Sequence, residues 1–295
     1  MNLETHVDGN ILLLRIANPP VNSLSWELRK QLHHAFSVTA ADVRVDAVIV
    51  YGAGKYFSAG GDLRELGTAA ASAPPRLSAD VLLAIERCEK PVVAAIHGAA
   101  IGGGFELALA CHYRMALESA RIVLPEVQHG IIPLSGTLRL PRLWGIARAL
   151  PMMLDSRPLT VADFNGSDVF DRIVAAAPDE EAAGEAQEPV APLLPLAIDF
   201  ARSIVSARID PAQVAGGSAV RAAGTLVRNR RFADANPGAE LTATIARYGA
   251  RPLTSAQSAL IAAVRAGIEI PDFDAAMAKC QKIYDVLTPF ASKRT

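Results

Sequence analysis

Three features of the sequence predict an α/β fold. Strand-length apolar runs alternate with helix-spaced segments through the first half, small-residue turns follow the strands, and the last third is helical in character. Taking the elements in order, Ile11–Ile16 is an apolar run of strand length, and Ser25 is placed to cap a helix over Ser25–Phe36. Ala47–Tyr51 reads as a second buried strand. Leu77–Glu89 reads as a helix with Val81, Leu82 and Ile85 on one face, and Pro91 opens a strand at Val92–Ile96. Phe105–Ala110 begins another helix, followed by short strands at Tyr113–Leu117 and Arg121–Leu124. Such alternation predicts right-handed crossovers. Composition shifts to Ala, Glu and Pro over Ala175–Pro195, which predicts a mobile loop or hinge. Helices follow at Leu196–Ala207, Ser218–Arg230, Ala239–Tyr248, Ser255–Ala266 and Phe273–Leu287, punctuated by Asn236-Pro237-Gly238 and Arg251-Pro252. The expected division is an α/β core over 1–195, a helical region over 196–254 and C-terminal helices over 255–295.

Composition removes several classes of function. The 29 Lys+Arg against 30 Asp+Glu leave a formal charge of −1 without a basic stripe, so nothing electrostatic points to nucleic acid or to a membrane surface. A 51% hydrophobic content excludes disorder throughout. Met1-Asn2-Leu3-Glu4 has no signal-peptide character, and the apolar stretch Pro91–Phe105 is interrupted by His97 and by glycine and proline, so a soluble chain is expected. Cys88, Cys111 and Cys280 form no CxxC pair and have no histidine at a ligand-like interval. They read as small buried hydrophobes in a reducing cytosol, with no disulfide framework and no metal site expected.

Three stretches depart from what a plain core needs. Phe57-Ser58-Ala59-Gly60-Gly61-Asp62-Leu63 follows a strand, and reads either as a tight turn or as main chain that approaches a ligand closely. Gly102-Gly103-Gly104 stands where a helix begins, so unpaired N–H groups and the positive helix end face whatever lies in front; that suits an oxyanion. Neither the dinucleotide nor the Walker spacing is present. Glu106 is alone among apolar residues in Phe105–Cys111. It is either the helix's one solvent-facing position or a buried acid with a raised pKa, fit for proton transfer. In Leu124-Pro125-Glu126, the acid reads as a favourable first-turn charge, or with Glu106 as the second member of an acid/base pair. Ser135 lacks the glycine of a GxSxG elbow, and His97, His112 and His129 are scattered. Arg228-Asn229-Arg230-Arg231 reads as a solvated helix face.

On these residues the sequence resembles the crotonase superfamily, the enoyl-CoA hydratase/isomerase fold. The matching stretches are Asn18–Leu24, Phe57–Leu63, Lys90–Gly98, Gly102–Ala110, Leu124–Pro133 and Arg139–Arg142, so the likeness covers about residues 5–175. Cys111–Arg114 and the tail Ala263–Arg294 are most similar to the N-terminal hydratase/isomerase part of the peroxisomal-type bifunctional fatty-acid oxidation enzyme and its linker helix. The resemblance implies a crotonase-like ββα spiral core with a C-terminal helical layer, and an acyl-CoA thioester as the substrate, CoA being part of it rather than a separate cofactor. It implies an oxyanion hole from the N–H groups of Gly61 and Gly103, and catalytic acids Glu106 and Glu126 holding a water between them. Asn22, Ser23, Leu24, Ala59, Gly60 and Asp62 would line the CoA groove, with Arg64 meeting the phosphates. A pair of acids favours hydration of a trans-2-enoyl-CoA, since simple isomerases of this fold rely on a single carboxylate. The alternatives are delta3-delta2-enoyl-CoA isomerisation and a catalytically silent acyl-CoA-binding homologue. The loop Ile132-Pro133-Leu134-Ser135-Gly136-Thr137 is shorter than the family's, in which a backbone amide helps to place the water; altered water geometry, an altered acyl-chain shape and lost activity are the alternatives this opens. A homotrimer or hexamer is the family's habit, and a monomer is compatible with the linker-like tail. The Thr295 ending is no peroxisomal signal, so a cytoplasmic setting is expected.

Overall fold

The computed structural model describes residues 2–175, 190, 192–209, 226–249 and 252–288. Its strands are β1 (Leu3–Asp8), β2 (Ile11–Ile16), β3 (Ser23–Leu24), β4 (Ala47–Gly52), β5 (Gly60–Gly61), β6 (Val92–Ile96), β7 (Ala99–Ile101), β8 (Tyr113–Leu117), β9 (Arg121–Val123), β10 (Leu159–Thr160) and β11 (Arg172–Val174). The α-helices of the first part are α1 (Trp26–Thr39), α2 (Ala69–Ser72), α3 (Leu82–Glu86), α4 (Gly103–Ala110), α5 (Gly136–Trp144) and α6 (Ile146–Asp155). Then come α7 (Leu193–Ile209), α8 (Pro237–Tyr248), α9 (Ser255–Glu269) and α10 (Phe273–Leu287).

A six-stranded sheet runs in the order β1-β2-β4-β6-β8-β11. All its pairings are parallel except the β1–β2 hairpin. β2, β4 and β6 are each followed by a short strand belonging to a smaller sheet, and then by helix: β2-β3-α1, β4-β5-α2-α3 and β6-β7-α4. This repetition is the ββα spiral. β4, β6 and β8 are buried along their whole length, which is why they read as continuous apolar runs rather than as alternating ones.

Local chemistry explains most boundaries. Ser25 caps α1 by accepting from the Leu28 N–H. Asn236 caps α8 in front of Pro237, and Asp272 caps α10. The helix expected over Leu77–Glu89 is shorter and of two kinds: a π-helical turn at Leu77–Val81 runs into α3, which ends at Glu86. The residues after it must extend towards Pro91 and β6.

α7 lies across the sheet against β4 and β6, so the expected boundary at 195/196 falls inside a helix that packs on the sheet. α5, α6, α8, α9 and α10 pack in succession as an outer layer. Of the expected hinge, residues 176–189 and 191 lie outside the described residues. Of the helix expected over 218–230, residues 218–225 lie outside them, and Val227–Asn229 forms a single 3-10 turn. The arginine run there is not a solvated helix face. Arg228 pairs with Glu86 and Asp274, and Arg230 with Asp168, pinning the layer to the core. Cys88, Cys111 and Cys280 are buried free thiols. Among the described residues no helix is long and apolar enough to cross a membrane.

Candidate active site

The spiral brings the glycine-rich stretches together. β5 pairs in parallel with β3, Ser23 opposite Gly60 and Leu24 opposite Gly61. Gly60 has φ 81°, and a Cβ there would overlap the Ile101 carbonyl and lie 2.8 Å from the Gly103 nitrogen. Only glycine lets β5 pass so near the start of α4. The Gly61 nitrogen in turn is 3.4 Å from where a Gly103 Cβ would stand. Gly103 is the first residue of α4, and the first N–H groups of a helix have no acceptor within it. The amides expected as an oxyanion hole are therefore neighbours in space. Leu77, on the π-helical turn, closes one side of them, its Cδ2 2.7 Å from the same Cβ position.

Glu106 does not face solvent. Every residue of α4 is buried, and Glu106 is 5% exposed. Its Oε1 accepts from the N–H groups of Ser135 and Gly136, both at 2.7 Å. These amides are the N-terminus of α5, so the helix dipole also favours the carboxylate. Burial pushes this carboxyl up; the two amides, and the charge of Arg139, pull it back.

Glu126 opens the 3-10 turn Glu126–His129, after Pro125. Its Oε1 lies 2.6 Å from the position a Gly102 Cβ would take, and Gly102 holds φ 52° and ψ −125°, a conformation open to glycine. Its Oε2 is buried and accepts no hydrogen bond among the described residues. Burial, then the charge of Glu106, pushes the Glu126 carboxyl well above the ordinary carboxylate range. The pair is thus unequal: burial raises both carboxyls, but two amides and a helix end offset the rise at Glu106, whereas the charge of Glu106 adds to it at Glu126.

The expected CoA-groove residues divide. Asn22 is buried in left-handed backbone, φ 56°. Its side chain donates to the Ala53 and Tyr56 carbonyls at 2.8 and 2.7 Å and accepts from the Asn18 N–H. Leu24 is fully buried. Both side chains are turned inward and shape the turn from inside. Ser23, Ala59, Gly60 and Asp62 do border the β3–β5 edge. Arg64 is 81% exposed and grips Asp62 through Nε and Nη2 at 2.9 and 2.7 Å, where it lowers the Asp62 carboxyl. Meeting a phosphate would require it to leave that partner.

In the sequence Ser135 stands out only as a nucleophile without its elbow, and Gly136 not at all, yet their main-chain amides position Glu106. Both of these loop amides end on the carboxylate. Behind them the fully buried Arg139 pairs with Glu86 at 2.8 Å. His97 bonds the Gly54 carbonyl, and His112 accepts from the Val92 N–H, so both are structural. Among the described residues no group of three or more His, Cys, Asp or Glu side chains is placed to hold a metal ion.

Residues 6–223 match the family model described as enoyl-CoA hydratase/isomerase. A probable enoyl-CoA hydratase of Bacillus subtilis is 42% identical over 159 residues, covering 52% of this chain and 62% of that protein. The peroxisomal bifunctional enzyme of Homo sapiens is 39% identical over 187 residues, covering 62% of this chain and 25% of that one. The chain thus spans less than two thirds of either relative. Among solved structures, an enoyl-CoA hydratase from Mycobacterium avium superposes with a TM-score of 0.60 at 26% identity, covering 98% of this chain and 97% of that one.

Proposed function

The chain belongs to the enoyl-CoA hydratase/isomerase family, and from that premise we propose that it adds water across the 2,3 double bond of a trans-2-enoyl-CoA thioester. The observation that carries this reading is the buried, unequal acid pair with the Gly61 and Gly103 amides as neighbours in space. The N–H groups of Gly61 and Gly103 would hold the thioester oxygen, each such donor being worth about 3 kcal/mol as negative charge develops there. Ionised Glu106 takes a proton from water as the water oxygen bonds to C3, and the double-bond electrons move onto the thioester oxygen as an enolate. The proton on Glu126 then goes to C2 as the enolate collapses. Glu106 ends protonated and Glu126 ionised, and one proton passed between them restores the starting state. The reading asks for no metal or redox cofactor.

Isomerisation needs one carboxylate to carry a proton from C4 to C2 or back, and leaves the second acid unexplained. The test is turnover of a trans-2-enoyl-CoA by wild type, Glu106→Gln and Glu126→Gln, beside a 3-enoyl-CoA. Each substitution should lower hydration by about 100-fold or more, while binding of a saturated acyl-CoA survives. Unchanged hydration in either variant overturns the assignment. Turnover of the 3-enoyl thioester alone would replace it by isomerisation.

A further inference from the structure

The outer helical layer reaches the acid pair along α5. Phe273, at the start of α10, lies beneath the guanidiniums of Arg139 and Arg142, 4.9 and 5.3 Å from its ring centroid. Seven residues on, Cys280 stands beside Thr137 and 3.5 Å from the Ala263 carbonyl of α9. α10 therefore runs antiparallel to α5, from the latter's middle towards its first turn. α9 at the same time touches the 3-10 turn that bears Glu126.

One further turn along the same face of α10 is Tyr284. It is half-buried and packs against the core. That register carries it past the first turn of α5, to the end where Ser135 and Gly136 hold Glu106. Both carboxylates act on its phenol: burial first, then Glu106, Glu126 and Asp285, push it up to about 12, so it is a neutral donor at working pH. Its hydroxyl donates to no group among the described residues.

The chemistry leaves one donor unassigned. An oxygen arriving at C3 gives a proton to Glu106, but the nearby loop amides are both spent on Glu106 Oε1. No main-chain donor of that pair is left to fix the oxygen. We infer that Tyr284 is a binding group of this site, its hydroxyl donating a hydrogen bond to the oxygen carried at C3 of the acyl thioester. The ligands it would favour are 3-oxygenated acyl-CoA thioesters; the inference rests on the hydratase reading for the placing of C3.

Calorimetric titration with acetoacetyl-CoA, which has an oxygen at C3, and with butyryl-CoA, which has none, tests it on wild type and Tyr284→Phe. The variant should bind acetoacetyl-CoA about tenfold more weakly and butyryl-CoA within about twofold of wild type, at an unchanged melting temperature. Unchanged acetoacetyl-CoA affinity overturns the inference. So does an equal loss for both ligands, which would make Tyr284 a packing residue. A wild type that binds neither thioester removes the CoA-ester site and the inference with it. A wild type that shows the binding difference but hydrates nothing sinks the hydratase reading alone, and Tyr284 stands.

Discussion

At the scale of single residues, the site rests on two carboxyl groups of the same chemistry made different by what surrounds them. Glu106 was legible in the sequence because it is the lone polar side chain of an apolar helical turn, and such a group is either wasted or used. The donors that hold it were not legible, because a backbone N–H leaves no mark in residue type. Asn22 shows the opposite case. The family resemblance implied a groove contact there, but an asparagine tolerates left-handed backbone, and its side-chain amide is consumed by two carbonyls. The asymmetry of the acids has a thermodynamic signature. Because the Glu126 carboxyl is raised in the folded chain, that chain binds the proton more tightly than the unfolded one. The stability gained is full below the ordinary carboxylate pKa and is lost as pH climbs through the raised value. Glu126→Gln removes that loss. The difference in melting temperature should therefore move in the variant's favour as pH rises from about 5 to about 8. A difference that does not vary with pH would mean that Glu126 carries no excess proton.

At the scale of elements, the decisive piece is the junction of β7 and α4. Gly102 turns the chain there in a conformation denied to other residues, and a methyl group would press on Glu126 Oε1. Gly102→Ala should cost about 1–3 kcal/mol from the backbone alone and displace the second acid, lowering hydration by about 100-fold or more. Gly61→Ala serves as the contrast, since nothing lies within 4 Å of a Cβ there and its φ is not positive. It should melt with wild type. Equal melting of the two variants would show that the junction is not the strained point. Strands β4, β6 and β8 were readable because a parallel strand covered on both faces must be apolar throughout. α5 and α6 were not, because Pro141 and Pro151 stand inside them and Gly145 between them. Each proline removes a donor and argues locally against a helix. Tertiary packing overrode that preference: α5 is buried nearly throughout, and its N-terminus is anchored on Glu106.

At the scale of the whole molecule, core and outer layer are joined through Glu86. This buried acid at the end of α3 accepts from Arg139 of α5 and from Arg228, which also reaches Asp274 of α10. Three guanidiniums gather around the ring of Phe273. Glu86→Ala would leave Arg139 buried without its partner and should cost about 3–5 kcal/mol. A fall in melting temperature of at least about 6 °C is expected, and a fall within about 1 °C would show that the hub is not what ties the layers. The division into a spiral and a helical layer was legible from the change of composition along the chain. The contacts that bind them were not, since they pair residues 46 to 142 positions apart with no local pattern to mark them. The large sheet has a further consequence. Its strands lie side by side in the order in which the chain is written, β1-β2-β4-β6-β8-β11. On the ribosome, each strand emerges to find its neighbour already made, so the scaffold grows by accretion and awaits no distant partner. α10 is the last described helix to be made, so a nascent chain carries both acids well before it carries Tyr284.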